Sequence, residues 1–181
     1  GLEIAANELL SVKTTGGDID LSESDGQGEK TPGLRVTLAE ASSGNVTIQG
    51  QNFVSAQKAI AGGVNSIVRL TSVAGNLEIL NPGAGQPDAL QINGGVALVA
   101  GGDLITYKFF QGPRLIEYRS GGSFNFNVPS TLTADTIVLE TDSTLSFTGT
   151  LTAKDRVELV SNRNVFFSGT IAGVGGQSVG E

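Results

Sequence analysis

Apolar residues alternate with polar ones along most of this chain, in runs of three to five positions closed by Gly, Asn, Asp, Ser or Pro. Typical runs are "IDL" (19–21), "LRVTL" (34–38), "VTI" (46–48), "IVRL" (67–70), "LIEY" (115–118) and "FNFNV" (124–128). "IVL" (137–139), "LSF" (145–147), "VEL" (157–159) and "VFF" (165–167) continue the series. A period of two places successive side chains on opposite faces of a strand, so the pattern predicts many short β-strands. Helical periodicity is nearly absent. The best helical candidate is Ser55–Ala61, "SAQKAIA", which Gly62-Gly63 would stop within two turns.

The strands recur in register. Thr131-Leu132, Thr150-Leu151 and Thr170-Ile171 open successive units of 19 and 20 residues. Ile137 and Leu139 precede Val157 and Leu159 by 20, Leu145 and Phe147 precede Val165 and Phe167 by 20, and Gly149 matches Gly169. Each unit is long enough for three short strands with small polar corners, one triangular coil of a parallel β-helix. In the N-terminal part the signature Gly-Asp/Asn-apolar recurs as "GDIDL" (17–21), "GNVTI" (44–48), "GNLEI" (75–79) and "GDLIT" (102–106), at spacings of 27, 31 and 27. These read as larger coils with insertions at "SESDGQGEKTPG" (22–33) and "NPGAGQPD" (81–88), and they place Asp18, Asn45, Asn76 and Asp103 at one corner.

The expected fold is therefore all-β, a single solenoid domain over 1–181 with coils of about 19–31 residues. Its coils are looser over 1–130 and regular over 131–173, and a Gly-rich tail covers 174–181. A β-sandwich is the alternative, although it gives no reason for a repeat held in register.

Composition narrows the chemistry. The 181 residues include no Cys, His, Met or Trp, which removes disulfides, thiolate zinc sites, cysteine nucleophiles and the Ser-His-Asp triad. The lack of Met, at position 1 included, predicts an internal or processed piece of a larger protein. No apolar run is long enough for a membrane-spanning helix. Eighteen acids against eleven scattered bases give a net charge of −7 and no basic stripe, so nucleic acid is not an expected partner.

The C-terminal third, "TLTADTIVLETDSTLSFTGTLTAKDRVELVSNRNVFFSGTIAG", resembles the coils of filamentous-haemagglutinin-like exoproteins, many of them exported by two-partner secretion. The resemblance implies a right-handed parallel β-helix, a location outside the cell or at the bacterial surface, and a role as adhesin or projecting shaft. It carries no catalytic signature. The expected function is accordingly a non-enzymatic, adhesive or structural rod that presents loops to glycans, proteins or neighbouring subunits. Two alternatives stand beside it: a carbohydrate-active β-helix of the lyase or hydrolase kind, and a subunit that stacks end to end through unpaired coil edges.

Three stretches carry candidate chemistry. "TYKFFQGPRLIEYRS" (106–120) is the most aromatic and basic segment, and Tyr107, Lys108, Arg114, Tyr118 and Arg119 are its candidate ligand-binding residues. Aromatic faces beside hydrogen-bonding cations suit sugars, and the same residues suit a protruding hairpin packed on itself. Asp18, Asp20 and Asp25, with Glu23 and Glu29, form the densest acidic cluster and are the candidate Ca²⁺ ligands, although their spacing fits no EF-hand. Asp135 and Asp155 fall at nearly equivalent places in adjacent coils, where they read as a carboxylate pair or as solvated corner acids damped by Lys154 and Arg156.

Overall fold

A computed structural model of the chain describes residues 2–3, 9–23, 33–124 and 130–173. Most of the 22–33 insertion, with Asp25 and Glu29, lies outside the described residues, as do most of "FNFNV" and the 174–181 tail. Among the described residues there is no helix, and every strand pairing is parallel. The strands form a nine-stranded and a seven-stranded sheet stacked as a β-solenoid of about six turns.

The core is a set of ladders. Ile19, Val46, Val68, Val96, Ile116, Ile137 and Val157 pair in sequence up one face. Leu21, Ile48, Leu70, Leu98, Tyr118, Leu139 and Leu159 form a second row two positions on. Each residue lies over its counterpart at about 4.8 Å, so the ladder closes only if every coil presents an apolar side chain at the same station. Leu34, Val54, Leu77 and Leu104 line a second face. A third face begins with small residues, Ala39 over Ala59 and Ala41 over Ala61, and ends with Leu132, Leu151 and Ile171. These residues are buried up to the last coil, where Val157, Leu159 and Phe167 are only partly covered.

The predicted C-terminal register is the observed one: Thr131 pairs Thr150 and Thr150 pairs Thr170, while Leu145 pairs Val165 and Phe147 pairs Phe167. The step from 19 to 20 residues also has a place. Ala134 faces Ala153 but Thr136 faces Arg156, so Asp135 alone opposes both Lys154 and Asp155. The two aspartates therefore meet across a bulge rather than as register partners.

Two expectations change. Ser55–Ala61 is not helical: Phe53–Ala56 and Ala59–Ala61 are strands on two different faces, and the polar pair Gln57-Lys58 is the corner between them. The alanines suit a helix by propensity, but Ala56, Ala59 and Ala61 are all fully buried against the neighbouring coils, and tertiary packing overrides the preference.

The four-residue corner splits likewise. Asp18 and Asn45 precede strands of the first face, whereas Asn76 opens and Asp103 precedes a strand of the second. Both corners share one device, in which a side-chain oxygen accepts the backbone N–H one coil up. Asn45 N–H donates to Asp18 Oδ1 at 2.7 Å and Ile67 N–H to Asn45 Oδ1 at 2.8 Å. Asp103 N–H donates to Asn76 Oδ1 and Ser123 N–H to Asp103 Oδ1, each at 2.8 Å. Asp serves here as well as Asn because the bond to the coil above uses only the side-chain oxygen.

Candidate functional site

Residues 106–114 are where the solenoid stops repeating. The third face has a strand below, Leu90–Ile92, and a strand segment above, beginning at Ser130, but none between them. Side chains take over the missing pairing. The Gln111 carboxamide donates from Nε2 to Thr131 O at 2.6 Å and accepts Thr133 N–H at Oε1, imitating a peptide group. Tyr107 Oη accepts Ala89 N–H at 3.0 Å, and Tyr118 Oη accepts Phe110 N–H at 2.6 Å. Aromatic rings fill the volume left over. Phe109 meets Tyr118 and Phe147 edge-on at 5.3 and 5.6 Å between centroids, and Phe110 meets Tyr107 at 5.5 Å.

The five predicted ligand-binding residues therefore do not converge. Tyr118 belongs to the leucine ladder and is fully buried, so it cannot reach a ligand in solvent. Burial pushes its phenol pKa well above the usual tyrosine value, and the hydrogen bond with Phe110 opposes that only in part. Arg119 points outward on the first face, paired with Glu117 at 2.7 Å and with Glu140. Arg114 is exposed at the far end of the loop. Tyr107 and Lys108 remain together, and both face the other described insertion.

That contact joins the two repeat-breaking stretches. Lys108 Nζ is 2.6 Å from Asp88 Oδ2 and 5.5 Å from the Phe110 ring centroid, while Tyr107 holds Ala89. The 81–88 loop is thereby braced from one side. On its other side it walls a groove of about 680 Å³. The floor is the corner between the second and third faces on three successive coils: Thr37, then Gln57 and Lys58, then Leu80. Asn81, Pro82, Gln86 and Pro87 make the wall. Asn81 Oδ1 accepts Gly83 N–H at 3.0 Å and tightens the turn that shapes it.

The floor residues were not among the candidates read from sequence. They come from three coils, and the one local signal, the polar Gln57-Lys58 pair interrupting a run of small residues, sat inside the segment that resembles a helix.

The candidate Ca²⁺ ligands do not assemble among the described residues. Asp18 Oδ1 is occupied by Asn45, through its N–H and through Nδ2 at 3.2 Å. Asp20 is exposed on the outer side of a strand whose Ile19 and Leu21 face inward. Glu23 is buried on the inner side, where Oε2 accepts Gln51 N–H at 3.0 Å. Asp25 lies outside the described residues. No three acidic side chains of the described residues are grouped to hold a metal ion.

The fold defines the class of protein, a parallel β-solenoid. No protein-family model matches the chain, and no curated protein or solved structure matches it.

Proposed function

We propose that this chain is a non-enzymatic segment of an extracellular or cell-surface rod, which presents its repeat-breaking loops to glycans. One observation carries the reading. Insertions from two separate coils, 81–88 and 106–114, are bound to each other on the outside of a regular apolar solenoid, and the first of them, braced by the second, walls a groove. The Lys108–Asp88 pair that joins them lies at the surface, outside the strand pairing that stacks the coils. The resemblance of 131–173 to filamentous-haemagglutinin-like coils adds the surface location.

A lyase or hydrolase has less support. Polysaccharide cleavage needs a base and an acid across the scissile bond, and the groove lining contains Lys58 but no carboxylate. Asp103, just before the aromatic segment, spends its Oδ1 on Ser123, and Glu117 within the segment is paired with Arg119.

A panel of neutral and acidic plant, algal and host oligosaccharides, screened for binding and for chain shortening, tests the proposal. Binding with no shortening is expected. Shortening of any bound polymer would replace it with the enzyme reading, and no binding across the panel would remove the glycan role.

End-to-end stacking has an observation of its own. Val165–Gly173 is the outermost described strand, with Val165, Phe166 and Ile171 at 42, 61 and 44 % exposure. An open edge with apolar side chains is a template for another coil. Concentration-dependent linear polymers in electron micrographs are the expected result of this second reading, and a strict monomer at high concentration would exclude it.

A further inference from the structure

We propose that the groove over Gln57-Lys58 binds a carboxylate-bearing saccharide, a uronate chain, with Lys58 as its charge partner. The inference rests on the glycan reading above and narrows it to one site and one ligand class. Charge is the first reason. In a chain of net charge −7 the groove is lined by one cation and no acid. The adjacent acid, Asp88, is held by Lys108, and among the described residues Lys58 forms no ion pair. An anion is therefore drawn to this groove, while most of the surface repels it.

Hydrogen-bonding chemistry is the second reason. Thr37, Gln57, Asn81 and Gln86 bring one hydroxyl and three carboxamides, all of which donate and accept. That set matches the vicinal hydroxyls of a sugar better than a phosphate, most of whose oxygens only accept. Pro82, Pro87 and Leu80 supply apolar surface for the C–H faces of pyranose rings. The volume falls within the range of about 300–1,000 Å³ usual for small-molecule sites.

Backbone pairing is the third. At the floor, Gln57 N–H donates to Val36 O, Ala39 N–H to Lys58 O and Leu80 N–H to Ala56 O, at 2.9, 2.9 and 3.0 Å. The coils use these groups on one another, so an acidic peptide cannot add here as a strand, and recognition falls to side chains.

Calorimetry and amide NMR with tetrasaccharides of galacturonate, guluronate and glucuronate, each beside its methyl ester, test the site. At least one free acid is expected to bind at least tenfold more tightly than its ester, with affinity falling as salt rises. Lys58→Gln should lose about tenfold for the acid and little for the ester, with unchanged melting, and Gln86→Ala on the exposed wall should lose severalfold. Equal binding of acid and ester, or acid binding indifferent to both substitutions, would overturn this site and leave the glycan role standing. Competition by polyglutamate as strong as by the uronate would reduce the groove to a charge site and overturn the saccharide assignment. No binding of any sugar, neutral or acidic, removes both readings.

Discussion

Replacing Gly149 with alanine is expected to destabilise the C-terminal coils by about 3–5 kcal/mol, among the largest effects any single methyl group would have in this chain. Two costs add. Gly149 has φ +138°, where L residues are strained, and a Cβ built on it would sit 1.9 Å from Ser130 O. That oxygen belongs to the backbone of the coil below, which is held by its own ladder and has nowhere to move. Gly169, one coil up, repeats the conformation with φ +154° and a Cβ position 1.7 Å from Gly149 O. The column exists because each coil bends at the same station over the one beneath.

Gly83→Ala is the control. Its φ is +92°, but a Cβ there meets nothing within 4 Å, so only the backbone strain of about 1 kcal/mol should register. Urea unfolding together with amide exchange over 130–153 separates the two outcomes. A Gly149→Ala protein as stable as Gly83→Ala would mean that the coils can slide apart locally. A solenoid unfolds along its length, so exchange should rise near residue 149 before it rises in the N-terminal coils.

The same geometry explains which parts of the fold could be read from the chain. Coils 131–173 are nearly equal in length, so equivalent residues fall at equal spacings, and Thr131, Thr150 and Thr170 align in sequence as they do in space. The N-terminal coils vary. Val46 to Val68 is a short step and Val68 to Val96 a long one, because the second absorbs the 81–88 loop. Spacing then stops identifying stations. "GNVTI" and "GNLEI" look alike because every corner needs a small residue and a side-chain acceptor, yet they start strands on different faces. The groove was half legible. Its wall broke the repeat visibly, but its floor is ordinary corner residues whose meeting depends on three coils being stacked.

The aromatic segment was legible as an exception and misleading as a site, and Tyr118 shows why. Tyrosine beside basic residues suits a sugar platform, but at its station in the ladder the neighbours are Leu98 below and Leu139 above. The ring points inward, and its hydroxyl supplies the partner that Phe110 N–H lost when the third face gave up its strand. Tyr118→Ala should therefore cost about 3–5 kcal/mol, from a large buried cavity and an orphaned amide together. Tyr118→Phe keeps the ring and should cost about 1–3 kcal/mol, the penalty of leaving the buried Phe110 N–H without its partner.

Proton linkage gives a reading that packing alone would not. Burial raises the folded-state pKa above the unfolded value near 10, so below about pH 10 both states hold the proton and the contribution is intact. As pH rises further the unfolded chain ionises first, and stability falls. Tyr118→Phe should flatten that alkaline decline while lowering stability at neutral pH, and amide exchange at 106–114 should quicken in both variants. An unchanged alkaline slope in the phenylalanine variant would mean that the hydroxyl is wet, and that the loop is anchored by Phe109 and Gln111 instead.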